Sequence, residues 1–272
     1  MRHLNGIGAV MRAIPSEALT LDDLGMPPSV KNLCRQTQGM ILVTGKTGSG
    51  KSTTLAAMVD AINVRLKGHI LTVEDPIEFV HQRKGCLISQ REVGIHTENF
   101  ASALHSALRE DPDVILVGKL RDLETISAAV TAAEMGILVT GTLHTNGAGQ
   151  TVDRIVNTFP ADKKSHIRTM LSTSLRGVIS QQLLPTKDKS GRVAALEILV
   201  NTAAVANIIR QGKMDQLETA MQSGRSNGMQ TMDNALMDLA RKGRIGALEA
   251  YQQSNNKHKF KRLVEEELAQ EM

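Results

Sequence analysis

The chain has 272 residues, 41% hydrophobic and 22% charged, with 32 basic and 28 acidic side chains for a net charge of +4. That is room for one large or two smaller domains of soluble composition, too balanced in charge to argue for nucleic acid by itself. No Trp, one Tyr and four Phe leave few rings on which bases could stack, and Cys34 and Cys86 make no CxxC pair, which suggests a reducing compartment and offers no metal motif.

Before Pro27-Pro28, GIGAVMRAI (6–14) alternates like a strand with no partner nearby in sequence. A lone strand has unpaired edges, so it either pairs with another subunit or is the remnant of a larger domain, and residues 1–28 are expected to be that remnant and a linker. MILVT (40–44) is a short apolar run into a glycine loop. Leu55, Met58, Val59, Ile62 and Leu66 then fall at helical spacing up to Gly68, and HILTV (69–73) reads as a strand. Phe100, Ala103, Leu104, Ala107 and Leu108 form another helical face, stopped by Pro112 and followed by a strand at 114–118. Asp122 caps a predicted helix with the stripe Ile126, Ala129, Val130 and Ala133, Gly136 ends it, and ILVTG (137–141) is again a strand. Strands alternating with helices predict an α/β fold, a parallel-rich sheet with helices on both faces. Ligands of such sheets sit at the carboxyl ends of the strands.

From about residue 146 the character changes. Ile167, Met170, Leu171, Leu175, Val178 and Ile179 predict one long helix, and RVAALEILV (192–200) returns to the sheet. Residues 29–200 are thus expected to be the main domain and 201–272 a small helical one, punctuated by glycines. The tail KHKFKRLVEEELAQEM reads as a solvated helix or a partner-binding segment. No apolar run approaches the roughly 20 residues that span a bilayer. The start MRHLNGIGAV has no signal-peptide core, so a cytoplasmic protein is expected.

GKTGSGKS (45–52) fits GxxxxGK[ST] without a gap, between a predicted strand and a predicted helix. Gly45, Gly48 and Gly50 let backbone N–H groups wrap phosphates, and the helix N-terminus adds positive potential. Lys51 is expected to reach the β- and γ-phosphates of ATP or GTP and Ser52 to hold Mg2+, with Thr47, Ser49 and Thr53 completing the loop. TVEDPIE (72–78) places Glu74, Asp75 and Glu78 just after a strand, where carboxylates hold a metal-bound water or take its proton; a turn rich in Asp and Pro accounts for them equally well. GTLHT (141–145) puts His144 after another strand, as a phosphate sensor or a structural histidine. VILVGKLRD (114–122) ends its strand on Lys119, where a nucleotide-hydrolysing site normally presents a carboxylate.

The order GKTGSGKST, TVEDPIE, LREDPDVILVGKLRD, GTLHT resembles the secretion ATPase superfamily, and within it the pilus-retraction (twitching motility) branch, the PilT and PilU family. CLISQREVGIHT (86–97), AAEMGILVTGTLHT (132–145), VDRIVNTFP (152–160) and GMQTMDNAL (228–236) extend the resemblance from about residue 6 to 255. The paired-CxxC zinc element usual in assembly-type relatives does not occur, which favours the retraction branch. The resemblance implies a RecA-like P-loop ATPase domain. It further implies a hexamer at the inner face of the cytoplasmic membrane that disassembles type IV pili through an inner-membrane platform protein, without inserting in the membrane. A DNA or DNA-uptake translocase is another reading, since many ring motors share this core; the scarce aromatics and modest charge speak against direct nucleic-acid binding. The resemblance casts Lys51 and Ser52 as the phosphate-loop pair, Glu78 in the acidic box as the general base and His144 as the phosphate-sensing histidine. Arg109 and Arg121, and less strongly Arg12, are cast as charge stabilisers, across a subunit boundary or as structural ion pairs.

Three departures from that family carry expectations of their own. Lys119 stands where the family has the Walker B glutamate. Two unit charges about 4 Å apart interact by roughly 4 kcal/mol at an effective dielectric of about 20. A cation there therefore predicts binding with feeble hydrolysis, unless the lysine turns away, pairs with Glu74 or Glu78, or loses its proton. Members usually begin with a whole N-terminal domain of roughly a hundred residues that packs on the neighbouring subunit. Here its final strand is the part expected, so a mixed ring with an intact paralogue stands beside the hexamer. AVANIIRQ (204–211) stands where retraction members often show AIRNLIRE, with Ala206 in place of the arginine and Gln211 in place of the second charged end, which bears on coupling to the pilus machinery.

Overall fold

The computed structural model describes residues 2–3, 6–7 and 18–271. Two short strands, β1 (Arg2–His3) and β2 (Gly6–Ile7), pair antiparallel, so the start of the segment read as having no partner nearby in sequence has one a few residues upstream. The rest of the alternating segment 6–14, with Arg12, lies outside the described residues. Helix α1 (Pro28–Leu33) starts on the second proline, as a residue without an N–H is free to do at a first turn. The alternation then runs β3 (Gly39–Thr44), α2 (Lys51–Arg65), β4 (His69–Glu74), β5 (Leu87–Glu92), α3 (Phe100–Ala107), β6 (Val114–Val117), α4 (Leu123–Glu134) and β7 (Leu138–Leu143). It continues through α5 (Ala148–Thr158), α6 (Lys164–Ser174), β8 (Leu175–Pro185) and β9 (Arg192–Val200). Helices α7 (Ala203–Gln211), α8 (Leu217–Ser223), α9 (Met232–Arg241), α10 (Ala247–Gln253) and α11 (Lys261–Glu271) follow.

The sheet order is β5-β4-β6-β7-β3-β8-β9, parallel throughout except that β9 runs antiparallel to β8. The parallel-rich α/β sheet read from the sequence is the observed one. β3, β6 and β7 are buried along their whole lengths, which is why they read as continuous apolar runs rather than alternating ones. Successive residues serve opposite faces. Met40 and Leu42 join Leu104 of α3, Ile126 of α4, Ile155 of α5 and Leu171 of α6. Ile41 and Val43 join Leu33 of α1 and Met58 and Ile62 of α2. Helices α7 and α8 pack into the first of these layers through Val205, Ile209, Leu217 and Met221. A third cluster holds Met232, Leu236, Ala250 and Phe260 against Leu184 and Ala195 of the β8–β9 ribbon.

The long helix expected over 167–179 is two elements. α6 ends at Ser174 and β8 begins at the next residue. Leu175, Val178 and Ile179 continue the helical spacing of Ile167 and Leu171, yet they sit in a strand covered on both faces, where no period is imposed. β5 has no counterpart among the expected elements. It is an edge strand, LISQRE, with no residue fully buried, so it carries no apolar pattern. Among the described residues no helix is long and apolar enough to cross a membrane.

Candidate functional site

The loop between β3 and α2 sets the site. Gly50 is the N-cap of α2 in the left-handed region, φ 85°, and brings no side chain to the first helical amides. Those amides and the helix dipole therefore favour an anion. The ammonium of Lys51, largely buried, donates to the carbonyls of Gly45 and Lys46, both at 2.9 Å. Burial pushes its pKa down and the nearby Glu78 carboxylate partly offsets this.

Thr47, Gly48, Gly50, Lys51, Ser52 and Thr53 line a cleft of about 570 Å3. Facing them across it are Glu74, Asp75 and Glu78 after β4, Gly118, Lys119 and Arg121 after β6, and Thr142 and His144 at the end of β7. Parallel strands place every one of these segments at the carboxyl edge, so the expected convergence is found. Gly45 and Ser49 do not line the cleft. Ser49 is 5% exposed and borders a smaller cavity beside Gln181 and Gln182, and its N–H donates to Lys46 O at 3.2 Å. Arg109 is exposed in the turn after α3 and is not brought to the cleft within one chain.

The acidic box is tightly organised. Glu74 ends β4 and is mostly buried; Oε1 accepts from Thr72 Oγ1 at 2.7 Å and Gln90 Nε2 at 3.3 Å, and Oε2 from Glu78 N at 3.5 Å. Burial raises its carboxyl pKa, more than these hydrogen bonds lower it. Lys119 turns to neither Glu74 nor Glu78. Its Nζ donates to Asp75 O at 2.5 Å and reaches Asp75 Oδ2 at 3.3 Å. The Lys119 segment is tied to β7, because Thr142 Oγ1 donates to Gly118 O at 2.5 Å and Leu120 N to Thr142 O at 3.0 Å. His144 is exposed at the rim. Its imidazole pKa is lowered, first by partial desolvation and then by the cations Lys51, Arg121 and Lys119.

Three buried or half-buried polar side chains that the motifs do not include hold the site loops. Gln181 grips the glycine loop, Ser180 Oγ accepts from Gly147 N at 2.9 Å, and Glu197 accepts from Ala148 N at 2.8 Å. The signal in the sequence is Ser180-Gln181 in one apolar run and Glu197 in another, LEILV, polar side chains whose burial demands partners.

A family model described as Type II/IV secretion system protein matches residues 2–270. This chain belongs to that family. Within it, high-identity relatives place the chain with the PilT/PilU group of secretion ATPases. A twitching motility protein of Neisseria gonorrhoeae is 57% identical over 251 residues, 92% of this chain and 67% of that protein. The type IV pilus retractation ATPase PilT of Pseudomonas aeruginosa is 57% identical over 240 residues, 88% of this chain and 70% of its own. The crystal structure of the pilus retraction motor PilT with bound ADP superposes with a TM-score of 0.87 at 47% identity, covering 92% of this chain and 71% of that one. The family's RecA-like ATPase fold is thus the fold of this member.

Proposed function

We propose that this chain is an ATP-binding and ATP-hydrolysing motor subunit of the pilus-retraction type, with turnover slowed at Lys119. One observation carries the reading: the glycine loop, the buried Lys51, the acidic box and His144 line a single cleft. In it Lys51 and the first amides of α2 take the triphosphate, with Thr47, Gly48, Ser52 and Thr53 around them. Gly45 and Ser49 shape the loop from behind. Glu78 is assigned as the general base, held beside Glu74 by its own amide. Glu74 is the supporting carboxylate, His144 the neutral phosphate sensor, and Arg121 the charge-stabilising group. Arg109 can serve only across a subunit boundary.

Mg2+ fits this donor set. That ion takes one or two carboxylates plus phosphate oxygens rather than an all-protein cage. Among the described residues no group of three or more His, Cys, Asp or Glu side chains is built to hold an ion alone. Ser52, with Glu74 or Glu78, would hold Mg2+ together with the phosphates; bound there, it would neutralise phosphate charge.

The names of the relatives support type IV pilus disassembly and twitching motility as the work done. A ring of six, an inner-membrane platform partner and a place at the inner face of the membrane belong to the same reading. Light scattering with ATP present tests the ring, and a monomer under all conditions would count against it. The Lys119–Asp75 contact favours a second reading, a subunit of little turnover in a mixed ring with an intact paralogue. Phosphate release by the purified chain, with Lys51→Ala as the blank, separates the two. A rate above the blank supports the motor; a rate equal to it, with co-purification of the paralogue, supports the accessory subunit.

A further inference from the structure

Gln181 sits in β8 behind the glycine loop, 3% exposed, with both ends of its carboxamide engaged. Nε2 donates to Ser49 O at 2.6 Å, and Oε1 accepts from Thr54 Oγ1 at 2.8 Å. Thr54 is in the first turn of α2 and is 1% exposed. The amide therefore spans from the loop to the helix that the loop feeds. Its orientation is fixed by chemistry, since a carbonyl accepts only a donor and the NH2 group must face Ser49. The same residue sets the space available to the loop. A Cβ on Gly50 would lie 2.8 Å from Gln181 Nε2, and one on Gly45 would lie 2.3 Å from Gln181 O. Two of the loop's glycines are thus packed against one residue of the strand next to β3.

We propose that Gln181 is a positioning residue for the phosphate loop, holding the Ser49 carbonyl and the start of α2 together so that the loop amides stay aimed at a β-phosphate. This rests on the reading of the cleft as a nucleotide site. The physical argument is preorganisation. A glycine-rich backbone has much conformational freedom to lose, and a buried tie moves that loss from binding to folding. Ser180 and Gln181 are adjacent, so β8 restrains the histidine loop with one side chain and the phosphate loop with the next.

The test is a titration of Mg2+–ADP into the full chain between pH 8 and pH 6, for wild type, Gln181→Ala, Gln181→Glu and Lys51→Ala. Gln181→Ala is expected to weaken ADP about tenfold, the scale of one buried hydrogen bond lost. Gln181→Glu is expected to lose at least about as much at pH 8, where a carboxylate faces the Ser49 carbonyl. It regains affinity toward pH 6, as the buried carboxyl takes up a proton and becomes a donor again. The alanine variant shows no such recovery. Wild-type affinity in Gln181→Ala, or parallel pH profiles in the two variants, would overturn the proposal. Undiminished binding in Lys51→Ala overturns the reading of the cleft and the proposal with it; a loss there beside wild-type affinity in Gln181→Ala overturns the proposal alone. Should the Gln181 variants fail to fold, Thr54→Val removes only the hydroxyl that orients the amide. It is expected to weaken ADP and to speed hydrogen exchange in peptides covering 45–52 while those of β6 and β7 stay unchanged. Unchanged exchange and affinity in Thr54→Val would overturn the proposal as well.

Discussion

Lys119 is folded against Asp75, its Nζ 2.5 Å from the carbonyl oxygen and 3.3 Å from the carboxylate. An ammonium at the end of β6 is thus satisfied on the rim of the cleft by the residue that follows β4. The pair is partly exposed, 29% and 44% for the two side chains, so it is worth only about 0–1 kcal/mol to stability. Its consequence is local: Asp75 offsets the ammonium's charge, and the end of β6 presents no carboxylate of its own.

Exchanging that charge is the direct test. Lys119→Glu is expected to raise phosphate release at least about tenfold, a barrier change of about 1.36 kcal/mol, because it places a carboxylate at the end of β6 in place of an ammonium. The melting temperature should hardly move. Lys119→Ala should keep nucleotide affinity and stay slow. Equal rates in wild type and Lys119→Glu would show that the charge at this edge does not set the turnover.

The titration of His144 reports the same field. Its midpoint should lie below the usual 6.5, through partial desolvation and the cations Lys51, Arg121 and Lys119. The neutral form is favoured by folding, so this group's contribution to stability is present above pH 6.5 and is lost as pH falls through the lowered folded value. Lys119→Glu turns a repelling neighbour into an attracting one, and the midpoint should rise. Nuclear magnetic resonance of the imidazole protons measures both, and a midpoint unmoved by the substitution would show that the lysine does not reach the histidine.

Glu197 holds two helices at once. Oε1 accepts from Ala148 N at 2.8 Å and Oε2 from Met232 N at 3.2 Å, the first residues of α5 and α9. Glu197→Ala removes both acceptors and should cost about 1–2 kcal/mol, with faster hydrogen exchange at the starts of both helices. Glu197→Gln retains one acceptor and should loosen one end only. Loosening confined to α9 in the alanine variant would mean that α5 is held by other contacts.

Gly177 tests the strand that replaced an expected helix. A Cβ there would lie 2.8 Å from Leu199 O and 2.8 Å from both Leu33 methyl carbons. Gly177→Ala should therefore destabilise the protein by roughly 1–3 kcal/mol, as overpacking does. Inside a solvated helix the same change would stabilise by about 0.5–1 kcal/mol. The sign of the shift in a denaturant midpoint distinguishes the two.

From β3 to β7 the order of strands and helices, all but the edge strand β5, was legible because each of those elements announces itself locally. VILV and ILVTG are continuous apolar runs, Asp122 caps its helix as read, accepting from Thr125 N at 2.8 Å, and a nine-residue glycine motif carries its own chemistry. The boundary at Ser174 was not legible, because Leu175 and Val178 serve a helical period and a doubly covered strand equally well. Nor could local pattern supply the partner of Lys119, which lies 44 residues away in Asp75, or the grip of Gln181 on Ser49, 132 residues away. By itself the sequence determined the parallel α/β alternation, the phosphate loop and the set of charged residues after each strand. Only the tertiary structure decided which carboxylate neutralises the lysine and which strand braces the loop, because strand order brings together residues that no local spacing relates.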